Sequence, residues 1–581
     1  MYFLQKRLQV FLISIVVLLI AHCQGVLFDR NIVHTKYGSL QGTYQMVGNT
    51  KVYQFLKIPY AKAPVGSLRF KKPVAHPVWH GVRDATKYGP VCVQKVTKSY
   101  RNIYPNYDTS EDCLFLNIYV PNGVKHGKKA VLLYIHGGGF FSKSANLYDG
   151  SDLAADGDVI VVLVNYRLGL LGFLSTRDSA ALGNFGLWDQ LAAMKWVKEN
   201  IADFGGDSSN ITIAGHSAGG YSIGLHLLSN HSTGLYNRAI MMSGFGLSPR
   251  AISHQARAFT NGAARYIGCP TSNSTNLITC MRSRKASDIL RAQLHQVSHQ
   301  GTNLSFYLSP GPVIDGDFLK GNPSSLIQNG NNGPFKDVGL MLGTNNADGW
   351  LLKSKLLHFE SSYNFSLNDG VPPSVFCNEI IKAIIRDYFQ SNKNISQKIC
   401  EKYSSPSMNK LNQGLNAIDM YGDMMYAAPE VQTLRYHSQT GNNPRSYQFL
   451  FHHKPSFPVI SSRTSWVLGA QHGDECWFIF KMKNFHYTKQ EIHLLQQFGR
   501  YLTNFVKYGN PNGKTNHADN AFVPHWSHFT PNREYYMDIN TNMTLLEHLF
   551  SKRIAFWLND VPLLHSSAIV PTKVKIPYVF G

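Results

Sequence analysis

The sequence predicts an α/β fold: one large, mostly parallel sheet covered by helices on both faces, in a single domain. Three observations predict it. Short, unbroken apolar runs, Ala130–Ile135 and Val159–Val164, read as strands buried on both faces. Helical periodicity falls between such runs, with Leu187, Leu191, Met194, Val197 and Ile201 on one face. Strand and helix then alternate along the chain, which requires crossover connections and therefore parallel pairing.

The elements follow in order. From Asn31 to Val91 the chain reads as short strands and turns, including Val52-Tyr-Gln-Phe-Leu56 and a proline-rich passage from Pro59 to Pro90. Cys92 to Cys113 reads as a polar loop that a bridge between its ends would close. Leu114–Val120 is a strand. Ala130–Ile135 is another, and it runs into His136-Gly-Gly-Gly-Phe140. Val159–Val164 ends in Asn165-Tyr-Arg-Leu-Gly169, and a helix spans Gly186 to Asn200. Ile211–Ala214 is a strand, Gly215-His-Ser-Ala-Gly219 a turn, and Tyr221–Leu228 a helix. Arg238–Ser243 is a strand, and Ser253 to Ser309 reads as helices with loops. Pro312–Phe318 reads as the lining of a site or a sheet edge. Val338–Leu342 is a strand, Ser374 to Met425 is helical, Ser446–Phe451 is a late strand, and a helix over Glu491 to Tyr508, with the ending Pro511-Asn-Gly513, closes the fold. No internal repeat or low-complexity linker divides the 581 residues.

Composition narrows the function classes. Hydrophobic residues make up 44% and charged residues 16%, so a large core is expected. The formal charge of +21 is dispersed, with no run of five Lys/Arg, which is not the clustered footprint of a nucleic-acid binder. Lys6 and Arg7 precede an apolar run from Leu8 to Ala21, the pattern of a secretory signal peptide over residues 1–24. The run is shorter than the roughly 20 residues a membrane span needs, and Ile569–Gly581 lacks the hydrophobic tail of a lipid-anchor signal. The expectation is an exported domain, residues 25–581, with no membrane span.

In an oxidising compartment, cysteines near in sequence are plausible bridges: Cys92–Cys113, Cys269–Cys280 and Cys377–Cys400, leaving Cys476 odd. No C-x-x-C suggests a metal site. Sequons at Asn230, Asn273, Asn303, Asn364, Asn394 and Asn542 are candidate glycosylation sites; a further one, Asn210, sits on the strand before the serine turn, where burial would block modification.

The serine turn carries the chemistry. An isolated G-x-S-x-G also arises in ordinary β–α turns, but here a buried strand precedes it and a helix follows, the context of an exposed nucleophile. A serine hydroxyl needs a base, and the base needs a group to fix its tautomer. On an α/β-hydrolase sheet the order is serine, acid, histidine, each after a strand. Ser217, Asp348 and His472 satisfy it, with Asp474, Glu475 and Asp315 as alternative acids. The N–H groups of Gly138, Gly139 and Ala218 are candidate donors to an oxyanion. No Lys-Ser/Thr follows the triple glycine to make a phosphate loop. No cofactor or metal is expected.

With these residues in view, the chain resembles the type-B carboxylesterase/cholinesterase family of α/β-hydrolases from about Val33 to Phe556. The marker segments are Leu68-Arg-Phe70, Ser110-Glu-Asp-Cys-Leu-Phe-Leu-Asn117, His136–Phe140, Asn165–Gly169, Asp189-Gln190, Phe204-Gly-Gly-Asp207 and Gly215–Gly220. The resemblance implies hydrolysis of a small-molecule ester through an acyl-enzyme. It also implies bridges Cys92–Cys113 and Cys269–Cys280, and buried ion pairs Arg69–Glu111 and Arg167–Asp189. It leaves oligomeric state open. Family members that have lost the triad, the neuroligin-like adhesion proteins, make a non-catalytic binding protein the rival reading; a specialised hormone, pheromone or lipid esterase is a third. Departures from the family point to specificity. His216 stands where many relatives have Glu, as in some insect esterases, and the acid is Asp rather than Glu. No Trp lies between Cys92 and Cys113, against a choline site. Pro249-Arg-Ala251 replaces a Pro-Trp-Ala, so Arg250 either lines a polar pocket or turns to solvent. His216, Arg250 and Phe140 are the pocket candidates.

Overall fold

The computed structural model describes residues 31–567, apart from 97–106, 122–127, 303–309, 331–332, 440–444, 458–463, 483–484 and 515–522. The signal-peptide segment and the Asn303 sequon lie outside the described residues.

Eleven strands form the main sheet: β1 (Thr43–Val47), β2 (Thr50–Pro59), β3 (Phe115–Pro121), β4 (Lys129–Ile135), β5 (Ile160–Val164), β6 (Gly206–His216), β7 (Arg238–Met242), β8 (Gly339–Asn345), β9 (Ser446–Phe451), β10 (Tyr535–Ile539) and β11 (Thr544–Glu547). Their spatial order is β11-β10-β9-β8-β7-β6-β4-β5-β3-β2-β1. Pairing is parallel from β10 across to β5 and antiparallel at both margins.

The unbroken apolar strands have the burial expected of a two-sided core. In β4, Val131, Leu133 and Ile135 enter one apolar layer, while Ala130, Leu132 and Tyr134 enter the other. In β5, Ile160, Val162 and Val164 face the first layer, and Val161 and Leu163 the second. A side-chain period of two on a strand sends alternate residues to opposite faces, so both faces need an apolar cover. Helix α1 (Phe185–Asn200) supplies one through Leu187, Leu191, Met194 and Val197. On the opposite face lies α2 (Lys489–Tyr508), with Leu494, Phe498, Leu502 and Phe505. Thr488 and Glu491 cap its N-terminus reciprocally.

Two sequence expectations need correction. Pro312–Phe318 is neither strand nor sheet edge: Val313 N–H donates to Asn184 Oδ1 at 2.9 Å, and Asp315 caps its own turn by accepting from Asp317 and Leu319. The chain also does not close at the long helix, because β10 and β11 follow it and extend the sheet.

The expected staples are present. Cys92–Cys113, Cys269–Cys280 and Cys377–Cys400 are bonded, and Cys476 is a buried free thiol. Arg69 meets Glu111 through two nitrogens at 2.7 and 2.5 Å, and its third nitrogen donates to the carbonyls of Met281, Arg282 and Arg284. Arg167 binds Asp189 at 2.7 Å through each of two nitrogens. Asn210 uses its amide on Lys507 O and accepts from Arg238, whereas Asn230, Asn273, Asn364, Asn394 and Asn542 are exposed. Among the described residues no helix is long and apolar enough to cross a membrane.

Candidate active site

The site sits at the carboxyl ends of the parallel strands, where loops from four of them converge. Strand β6 ends at His216, and Ser217 adopts φ 57°, ψ −120°, a conformation that strains any non-glycine residue. The strain is held by hydrogen bonds: Ser217 N–H donates to Met242 O on β7 and its carbonyl accepts from Tyr221 N, both at 2.8 Å. The turn is tight enough that a Cβ at Gly219 would lie 2.0 Å from Ile135 O and one at Gly215 2.6 Å from the Gly219 backbone. Close approach of β4 to the first turn of helix α3 (Ala218–Leu227) therefore dictates glycine on both sides of the serine.

Asp348 begins a 3₁₀ turn just past β8, and His472 lies on the long loop after β9. The two loops are laced together. Ala347 N–H donates to Ala470 O at 2.9 Å, Asn346 Oδ1 accepts from Ala470 N at 2.8 Å, and Asn345 Nδ2 donates to Gln471 O at 2.6 Å. This brings His472 Nδ1 within 2.8 Å of Asp348 Oδ1 and His472 Nε2 within 2.8 Å of Ser217 Oγ. An ionised carboxylate can only accept, so Nδ1 carries the proton and the Nε2 lone pair faces the serine hydroxyl. The other carboxylate oxygen of Asp348 is held by Ser243 Oγ at 2.7 Å, Thr344 Oγ1 at 2.5 Å and Asn345 N at 2.8 Å.

The alternative acids are engaged elsewhere. Asp474 accepts from Gln471 N at 2.7 Å, Glu475 accepts from Asn345 Nδ2, and Asp315 caps its distant turn. Asp348 thus holds the place at His472 Nδ1.

The glycine loop passes directly against the serine: a Cβ at Gly137 would meet Ser217 Cβ at 3.0 Å. Gly138 and Gly139 have φ 105° and 63°. The carbonyl of Gly138 is tied back by the N–H groups of Phe141 and Ser142 at 3.1 and 3.0 Å. Among the described residues no acceptor takes the N–H of Gly138 or Gly139. Ala218 opens α3, where the backbone N–H has no partner within the helix. Three free donors beside a serine hydroxyl are an arrangement able to stabilise an oxyanion.

The pocket candidates are placed differently from one another. His216 is fully buried, its ring 4.6 Å from that of His472 and its Nε2 3.6 Å from Glu475. Burial, with the nearby His472, holds its imidazole well below the ordinary histidine value. Burial and the Asp348 charge push the Glu475 carboxyl up. His216 therefore backs the catalytic loops and presents no surface to a ligand. Phe140 is also fully buried, against Phe173 and Tyr221. Arg250 does neither of the two things expected of it in full: it is half-buried and donates to Tyr421 Oη at 3.0 Å. His216, Glu475 and Cys476 bring one donor atom each within 4.8 Å of one another, the metal-ligand grouping that the described residues offer.

Ser243, Thr344 and Tyr426 belong to the site but were not legible as such. Ser243 and Thr344 end strands β7 and β8, beside the acid, a position that could have flagged them. Tyr426 packs 5.1 Å from the His472 ring from a distant helical segment, and nothing local in the sequence marks that contact.

Residues 29–557 match the model of the carboxylesterase family. Pyrethroid hydrolase Ces2a of Mus musculus is 34% identical, with 94% of each chain covered. Carboxylesterase 4A of Bos taurus is 32% identical over 90% of this chain and 94% of its own. Neuroligin-2 of Mus musculus is 31% identical over 94% of this chain and 70% of its own. The chain belongs to the carboxylesterase family.

Proposed function

We propose that this member of the carboxylesterase family is an exported serine esterase that hydrolyses small carboxylic esters through an acyl-enzyme. The observation that carries the reading is His472, bridging Ser217 and Asp348 at 2.8 Å on each side. Ser217 Oγ attacks the ester carbonyl carbon while Nε2 of His472 takes its proton. The negative charge that develops on the carbonyl oxygen is met by the N–H groups of Gly138, Gly139 and Ala218. The imidazolium, steadied by Asp348, returns the proton to the departing alkoxide, and the C–O bond to the alcohol breaks. Water then attacks the acyl-serine with His472 again as base, releasing the acid and restoring the serine.

Export is supported by the apolar stretch Leu8–Ala21, three disulfides, and exposed sequons at Asn230, Asn273, Asn364, Asn394 and Asn542. The test is covalent labelling with a fluorophosphonate, read by mass spectrometry. A phosphonyl adduct on Ser217, absent from Ser217→Ala, together with aryl-ester hydrolysis lost in the same variant, is expected. An unlabelled native protein would instead favour a non-catalytic binding role.

A further inference from the structure

Arg250 presents a half-buried charge that the reaction above does not use. It lies on the loop after β7, and its Nη1 donates to Tyr421 Oη at 3.0 Å. Its Nε is buried without a hydrogen-bond partner, and no carboxylate of the described residues lies within ion-pairing distance. A guanidinium in an interior is ordinarily matched by a carboxylate, because an uncompensated buried cation is costly. The two buried guanidinium groups of the described residues obey this: Arg69 has Glu111 and Arg167 has Asp189.

The surroundings of Arg250 are phenols rather than anions. Tyr221, Tyr388, Tyr421 and Tyr426 all lie within electrostatic range of it. Burial raises Tyr221, Tyr388 and Tyr426 above the ordinary tyrosine value, so they stay neutral and do not balance the charge. The hydroxyls of Tyr221 and Tyr426 are buried and close to one another, with Ser248 beside Tyr221. Lys355 also lies within range of Arg250, and the Asp387 carboxylate near it acts on Lys355 and is paired with Arg386 at 2.8 Å. One cation with no carboxylate partner among the described residues thus shares a cluster with neutral phenol hydroxyls.

That cluster adjoins the chemistry. Tyr221 is in the first turn of α3, four residues after the nucleophile, and the Tyr426 ring lies 5.1 Å from that of His472. We infer that Arg250, with the hydroxyls of Tyr221 and Tyr426, receives a carboxylate carried by the substrate, so that the enzyme selects esters bearing a second, anionic group. This rests on the esterase reading above. The carboxylate could belong to the acyl part, as in the half-ester of a dicarboxylic acid, or to the alcohol part.

Paired substrates distinguish these. For the acyl arm, kcat/KM is compared for 4-nitrophenyl hydrogen glutarate and 4-nitrophenyl hexanoate; for the alcohol arm, for 3-acetoxybenzoate and 3-acetoxybenzamide. The native protein is expected to favour the anionic member of one pair by at least tenfold. Arg250→Gln should collapse that ratio toward one, and Arg250→Lys should retain part of it. No anionic preference in either pair, or a ratio unchanged in Arg250→Gln, overturns the proposal. Calorimetric binding of glutarate and the neutral glutaramide to the native protein needs neither turnover nor a variant. Glutarate binding no tighter than glutaramide, alongside no preference in the alcohol arm, also overturns it. Absence of all ester hydrolysis would overturn the esterase reading instead, and tighter glutarate binding would then still support an anion site at Arg250.

Discussion

Asp348 holds His472 with one carboxylate oxygen and is itself held by the other: Oδ1 lies 2.8 Å from His472 Nδ1, while Oδ2 accepts from Ser243, Thr344 and Asn345. The acid is thus fixed at both ends, and its length is part of the fit. Asp348→Asn leaves the shape but removes the charge and permits the wrong tautomer, so kcat should fall by about 10³–10⁴-fold. Asp348→Glu adds a methylene that the three donors leave no room for; at least a tenfold fall in kcat is expected. Steady-state hydrolysis of an aryl acetate, with circular dichroism to confirm folding, checks both.

The Arg167–Asp189 pair is a scaffold device whose energetic signature is loss on one-sided removal. Both side chains are at most 3% exposed. Asp189→Asn strands a buried guanidinium and should cost about 3–5 kcal/mol, read as a lower urea midpoint. A cost under about 1 kcal/mol would contradict this reading of the core.

Two glycine-to-alanine changes should act in opposite directions. Gly219→Ala places a methyl 2.0 Å from Ile135 O, a backbone atom that cannot yield without moving β4. It should destabilise by several kcal/mol or abolish soluble expression. Gly499→Ala in α2 meets nothing within 4 Å. There the better helix propensity should raise stability by about 0.5–1 kcal/mol. Thermal melts of both variants decide it.

Acid should weaken the fold through buried neutral histidines. Burial lowers His136 and His226 to about 3 and His437 to about 4, against 6.5 for a free histidine. Below pH 6.5 the unfolded chain binds protons that the folded one refuses. The stabilisation is therefore intact above that pH and is lost as pH falls toward 4 and then 3, by about 1.4 kcal/mol per histidine for each pH unit. Glu430 and Glu475, raised by burial, act oppositely as pH climbs past about 4.5. His226→Gln cannot charge and should flatten the slope of urea stability between pH 6.5 and 4.5. An unchanged slope would refute the assignment.

Cys476 should be silent in the native protein. It is buried beside Tyr134 and burial raises its thiol well above the ordinary value. A thiol reagent at pH 8 should react with it only after unfolding, because the thiolate is the nucleophile. Stoichiometric labelling without denaturant would show that the site opens.

Much of the fold was legible because its signals are local. The two-sided apolar strands β4 and β5, the helix stripe of α1 and the glycines around Ser217 are each written within a few residues. The serine, histidine and acid could be ordered along the chain because each follows a strand of a parallel sheet. The late strands β10 and β11 were not legible, since Tyr535–Ile539 and Thr544–Glu547 are short and mixed in polarity. Their strand character comes from pairing with β9 and with each other.

The sequence by itself determined the sheet, the nucleophile's turn and the set of residue types that can cleave an ester, because those depend on periodicity, backbone conformation and order. It left the acid open among four carboxylates and the pocket open among three residues. Tertiary structure placed both sets of residues, since hydrogen bonds and burial join positions more than a hundred apart. It set Asp348 against His472, turned His216 inward against Glu475, and placed Arg250 beside Tyr421 with no carboxylate paired to it among the described residues.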